Sequence, residues 1–107
     1  MDEATREQIQ TLIDTNPIVV FMKGNKNFPK CGFSATVVEV MKRVAVDYQD
    51  VNILEHPDLR EGLKEFSSWP TFPQIYISGK FIGGCDILRD MFTSGELEPL
   101  VREAVAK

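Results

Sequence analysis

IVVFMKGNKNFPKCGFSATVVEVMKRVAVDYQDVNIL, residues 18–54, passes through three patterns in succession. Ile18 to Met22 is an unbroken apolar run of the length and composition of a short buried strand. Lys23 to Pro29 (KGNKNFP) brings Gly, two Asn and a Pro, a loop composition. Phe33, Val37, Met41 and Val44 then recur at near-helical spacing, which starts a helix at or just after Cys31. Tyr48 to Leu54 alternates loosely and is rich in residues that favour strands. Strand, helix and strand over this length predict a right-handed parallel crossover.

Outward from that unit the pattern changes. Upstream, Ile9, Leu12 and Ile13 mark one face of a first helix that Asn16-Pro17 stops. Downstream, Pro57-Asp58 opens a short helix with Leu59, Leu63 and Phe66 on one side, ended by Trp69-Pro70. Gln74 to Ile77 and Lys80 to Ile82 read as two short strands joined at Ser78-Gly79 by a tight hairpin turn. Gly83-Gly84 leads into a helix with Ile87, Leu88, Met91 and Phe92 turned inward and Ser94-Gly95 at its end; Leu97, Leu100, Val101, Ala104 and Val105 carry a last helix. One parallel crossover followed by an antiparallel hairpin predicts an α/β fold with a four-stranded mixed sheet covered by helices on both faces.

At 107 residues the chain is expected to form one domain, 1–107, without repeat or linker. Twelve Lys and Arg against sixteen Asp and Glu leave a net charge of -4, which argues against a nucleic-acid partner. No apolar stretch approaches the roughly 20 residues that span a bilayer, so no membrane association is expected. The N-terminal MDEATREQIQ resembles neither a signal nor a transit peptide. A cytoplasmic address is the default, with an organelle stroma or matrix the alternative if a leader precedes this numbering. Two cysteines are too few for a secreted disulfide scaffold, so each needs another explanation.

Cys31 at a helix start would feel unpaired backbone N–H groups and the positive end of the dipole, and Lys23 at the end of the first strand adds a cation. Such surroundings favour a thiolate; the competing reading is one more small buried hydrophobe. Three residues on, where a dithiol oxidoreductase has its resolving cysteine, stands Ser34 in Cys31-Gly32-Phe33-Ser34. A hydroxyl cannot resolve a disulfide, so Cys31 either relies on an external thiol or serves as a ligand. Trp69-Pro70-Thr71-Phe72-Pro73 precedes the third strand; a cis bond at Pro73 would leave the Phe72 backbone open to pair with an extended peptide. In Gly83-Gly84-Cys85-Asp86 the expected N-cap is Asp86, and the free N–H groups of that helix start suit a carboxylate. Arg60 reads by default as a solvated charge and His56 as a loop residue without a catalytic task.

Taken together and in order, Lys23, Cys31-Gly32-Phe33-Ser34, Trp69 to Pro73 and Gly83 to Asp86 resemble the monothiol glutaredoxins of the single-domain type. The resemblance implies a thioredoxin-like fold that binds glutathione beside Cys31. By motif, Lys23 and Arg60 would pair with its glycine carboxylate, Phe72 before a cis Pro73 would bond its cysteinyl backbone, and Cys85 and Asp86 would hold the γ-glutamyl end. It further implies a 2Fe-2S cluster shared between two subunits, with Cys31 as metal ligand, and transfer to iron-sulfur acceptor proteins. Two Cys31 thiolates and two glutathione thiolates supply the four that such a cluster usually needs. The expected assembly is a homodimer when cluster-bound and a monomer as apoprotein. Two alternatives stand beside this carrier. One is a glutathione-dependent reductase of protein-glutathione mixed disulfides with Cys31 as catalytic nucleophile, an activity expected to be weak. The other is a redox-sensing module built on a Cys31–Cys85 disulfide.

Overall fold

A computed structural model describes residues 1–107. The elements are α1 (Glu3–Thr15), β1 (Ile18–Met22), α2 (Gly32–Val44), β2 (Gln49–Asn52), α3 (Pro57–Ser67), β3 (Gln74–Ile77), β4 (Lys80–Gly83), α4 (Cys85–Ser94) and α5 (Leu97–Ala106). The sheet runs β2-β1-β3-β4, with β1 parallel to β2 and antiparallel to β3, and β3 antiparallel to β4. This is the four-stranded mixed sheet that the crossover and the hairpin predict. Ser78 and Gly79 both have positive φ, 52° and 77°, as a type I′ hairpin turn requires.

β1 is buried along its whole length because helices cover both sheet faces, which is why its sequence is a continuous apolar run. Ile18, Val20 and Met22 join Val37 and Met41 of α2, Leu88 of α4 and Val101 of α5 in one core. Val19 and Phe21 point the other way, into a core with Ile9 and Ile13 of α1, Leu59 and Leu63 of α3, and Tyr76 of β3. Full burial of a Leu, Ile or Phe side chain stabilises by about 1.5–3 kcal/mol, so these two layers hold the sheet between the helices.

Several expectations need correction. Phe33 belongs to the apolar stripe of α2 by spacing, yet it is 63% exposed. It stands in the first helical turn, which borders the cleft described below. Ile87 is exposed at the same cleft, in the first turn of α4. Val105 is exposed because it falls at the edge of the stripe centred on Leu97, Val101 and Ala104. β2 is shorter than Tyr48 to Leu54: beyond Asn52 the chain turns, with the Glu55 and His56 N–H groups donating to the Asn52 and Ile53 carbonyls. Asp86 is not the cap of α4. The helix starts at Cys85, two residues earlier than a cap at Asp86 requires, so Gly84 takes the cap position without a side-chain bond, and Asp86 pairs with Arg89 at 3.1 Å.

Candidate functional site

The loop between β1 and α2 is fastened at both ends. The Lys30 N–H donates to the Lys23 carbonyl at 2.9 Å, closing the loop on itself. Its flank is held by two side chains of β2: Asn52 Oδ1 accepts from the Gly24 N–H at 3.0 Å, and Asp50 Oδ2 accepts from the Lys26 N–H at 2.8 Å. Within the loop, Asn25 Oδ1 accepts from the N–H groups of Asn27 and Phe28, both at 2.9 Å. Lys26 Nζ donates to the Tyr48 carbonyl at 2.9 Å and lies 4.6 Å from the centre of the Tyr48 ring. Burial and the nearby Asp50 charge push the Tyr48 phenol up to about 12. Asp50 and Asn52 escaped the reading of the sequence, although Asp and Asn inside a strand are themselves a signal, being depleted there.

This loop delivers Cys31 to the N-cap of α2, in extended backbone at φ -152° and ψ 157°. Its Sγ lies 3.4 Å from both the Ser34 backbone nitrogen and the Ser34 Oγ. Ser34 is fully buried, and its hydroxyl also accepts from the Lys23 N–H at 3.2 Å. Partial burial works against a charge on Cys31. The Ser34 hydroxyl, the Ser34 and Phe33 N–H groups and the Lys23 ammonium outweigh it and hold the thiol below its ordinary range. Cys85 moves the opposite way: burial pushes its thiol up, Asp86 and Cys31 add to the rise, and Arg89 and Thr36 only oppose it. Both thiols are free.

The sign of these shifts fixes an expected result. Iodoacetamide reacts with thiolate, so Cys31 should gain reactivity at lower pH than an ordinary cysteine, and Cys85 at higher pH. At neutral pH, peptide mass mapping should find Cys31 alkylated faster than Cys85, because the larger thiolate fraction is on Cys31. Equal rates would contradict the opposed environments.

Beside the thiol lies a cleft of about 440 Å³ whose lining includes Phe33, Trp69, Phe72, Pro73, Cys85 and Asp86. Phe72, Cys85 and Asp86 are therefore brought together as expected, and the Phe72–Pro73 bond is cis. The backbone N–H and C=O of Phe72 make no hydrogen bond within the chain. Cys31, Lys23 and Arg60 stand outside this lining. Lys23 approaches from the Cys31 side, and neither cation has a carboxylate partner. Arg60 is not the fully solvated charge expected by default: it is half-buried on α3 and its Nε is buried without a partner. His56 is exposed before α3 and makes no side-chain cap bond. No group of three or more metal-ligating side chains occurs in the chain, and no helix is long and apolar enough to cross a membrane.

An acidified thiol at a helix start, next to a cleft edged by unpaired backbone, directs attention to thiol-dependent relatives. The glutaredoxin family profile matches residues 18–82. "Probable monothiol glutaredoxin 2" of Rickettsia typhi is 47% identical over 103 residues, covering 96% of this chain and 93% of that one. This chain belongs to the monothiol glutaredoxins. "Monothiol glutaredoxin-S14, chloroplastic" of Arabidopsis thaliana is 51% identical to this glutaredoxin over 100 residues, 94% of this chain. The match spans 58% of the Arabidopsis protein's length. Among solved structures, the holo form of glutaredoxin C1 from Populus tremula x tremuloides has a TM-score of 0.88 at 30% identity, covering 98% of this chain and 93% of that one. A buckwheat glutaredoxin-glutathione complex has a TM-score of 0.86 at 28% identity, covering 97% and 93% respectively. The fold of this glutaredoxin is thus thioredoxin-like.

Proposed function

We propose that the protein binds glutathione in the cleft beside Cys31 and carries a 2Fe-2S cluster, shared between two subunits, to iron-sulfur acceptor proteins. The observation that carries this reading is a single thiol, Cys31, placed at the N-cap of α2 where the Ser34 N–H and hydroxyl favour its thiolate. One thiolate per chain fits a four-thiolate cargo only when a second subunit and two external thiols complete it. Glutathione suits the remaining features. Its cysteinyl backbone matches the free N–H and C=O of Phe72 as an added strand residue. Its γ-glutamyl carboxylate matches the uncapped start of α4 at Cys85 and Asp86. Its glycine carboxylate matches the two unpaired cations, Lys23 and Arg60. The buckwheat glutaredoxin forms a complex with glutathione on a closely similar backbone, which supports the same assignment here.

In this reading the chain holds Cys31 as thiolate through Ser34 and Lys23, orients glutathione so that its sulfur lies beside Cys31, and supplies one half of the ligand set. We place the carrier in a reducing aqueous compartment, the cytoplasm, or an organelle like that of the chloroplastic relative if a leader directs it there. The test is anaerobic reconstitution with glutathione, iron and sulfide, read by visible absorption and native mass. A coloured dimer containing two glutathiones is expected; a colourless monomer with Cys31 intact would refute the proposal. Steady-state turnover of a glutathione mixed disulfide without any cluster would favour the reductase alternative. In that case the Cys31 thiolate attacks the glutathione sulfur of the mixed disulfide, forming a Cys31–glutathione disulfide and releasing the protein thiol; a second glutathione thiolate then attacks it, releasing glutathione disulfide and the Cys31 thiolate.

Lys23→Ala should weaken glutathione binding by roughly tenfold at low salt, about 1.4 kcal/mol. The loss should shrink as ionic strength rises, because Lys23 is only half-buried. Calorimetric titration at two salt concentrations checks both, and a salt-independent loss would mean damaged packing.

A further inference from the structure

Gln74 is a polar side chain in a place that does not need one. It opens β3, which has a strand on either side, and it sits opposite Phe21 of β1. It is 0% exposed, on the sheet face that also carries Phe21 and Tyr76. A methionine there would bring no polar atom to satisfy. The amide instead leaves its Oε1 buried with no hydrogen-bond partner, which disfavours the folded state. The other end of the amide supplies the compensation. Gln74 Nε2 donates to the Trp69 carbonyl at 3.1 Å and to the Thr71 carbonyl at 3.3 Å, drawing both toward the core.

The Thr71 carbonyl and the Phe72 N–H belong to one peptide unit. That unit is trans, because the only cis bond is the next one, Phe72–Pro73. In a planar trans peptide the C=O and N–H point in opposite directions. A Thr71 carbonyl held inward by Gln74 therefore turns the Phe72 N–H outward, and this N–H has no partner within the chain.

We infer that Gln74 is a positioning residue for the glutathione site, its amide fixing the Thr71–Phe72 peptide plane so that the Phe72 N–H faces the ligand's cysteinyl carbonyl. This rests on the glutathione reading above and assigns the strand contact to a side chain that itself lies under the loop. The experiment compares wild type with Gln74→Met, which keeps the volume and removes both donors. In ligand-free protein, 15N relaxation should show the Phe72 amide rigid in wild type, with an order parameter near about 0.85, and below about 0.6 in the variant. In a binding arm, glutathione is compared with an analogue carrying an (E)-alkene in place of its Cys-Gly amide, which lacks the acceptor. Wild type should prefer glutathione by roughly tenfold, and the variant should bind the two within about threefold.

An unchanged Phe72 order parameter overturns the inference. So does a variant that binds less tightly overall, or unfolds at lower temperature, while keeping the full preference for glutathione; that is the signature of packing alone. If wild type does not bind glutathione, the glutathione reading fails. The relaxation arm still decides whether Gln74 orients Phe72.

Discussion

Cys31→Ser is expected to reduce cluster content after anaerobic reconstitution from one per dimer to below detection, and to leave the protein monomeric. The hydroxyl cannot replace the thiolate as ligand, yet the variant should fold. Cys31 occupies the N-cap of α2 and accepts from the Ser34 N–H, a bond that serine makes at least as well. Thermal unfolding should therefore agree with wild type within about 1 kcal/mol, the size of a whole cap contribution. Absorption, native mass and melting on the same preparation separate lost ligation from lost structure. Retention of the cluster would overturn the ligand assignment, and an unfolded variant would show that the thiol has a larger structural role than its geometry indicates.

Gly24→Ala should have the largest effect on the site of any single methyl group. Gly24 has φ +86°, and a Cβ there would come within 2.4 Å of the Phe28 carbonyl oxygen and 2.7 Å of the Lys30 nitrogen, both backbone atoms. The conformational term alone costs on the order of 1 kcal/mol or more. The clash adds to it and cannot be relieved by a side-chain rotation. Gly79 provides the comparison, with φ +77° and open space where its Cβ would stand. Gly79→Ala should show the conformational cost alone. Gly24→Ala should melt lower than Gly79→Ala by at least about 4 °C, the shift that about 1 kcal/mol produces in a domain of this size. It should also bind glutathione less tightly, since the same loop places Lys23 and Cys31. Equal melting of the two variants would mean that the loop yields, contrary to the bonds that fasten it to Asn52 and Asp50.

Most of the sheet was legible in the sequence because its elements announce themselves by different periods. β1 is a solid apolar run, α2 has a four-residue recurrence, and the β3–β4 hairpin is punctuated by Ser78-Gly79. What misled were the first turns of helices. Phe33 and Ile87 fit their apolar stripes, but periodicity says which side of a helix is apolar and not how far the neighbouring layer extends beneath it. The cap of α4 was misplaced for a related reason: Asp86 is a good capping residue, and Gly84, which serves, has no side chain to advertise itself. In the site, Cys31 was legible from its position before the helix. Its partnership with Ser34 was not, since the sequence shows only that a hydroxyl replaces a thiol. Asp50 and Asn52 act on backbone groups more than twenty residues away, and Gln74 turns back on the loop just before its own strand; no spacing rule connects any of the three to the loops they hold.

The margins of the sheet bear on how two copies could meet. An unpaired strand edge is an invitation to another strand, and proteins commonly restrict it with short, charged or bulged edges. Here one margin is β2, only four residues long, with Asp50 and Asn52 bonded into the neighbouring loop. The other is β4, which begins at exposed Lys80 and loses its register where Ile75 pairs with Gly83 and Tyr76 with Phe81, leaving Ile82 as an extra residue. Neither margin offers a long, flat row of donors and acceptors to a second chain. Lateral growth into a continuous sheet is thereby disfavoured, so the cluster-bound pair proposed above would have to form without strands joining edge to edge.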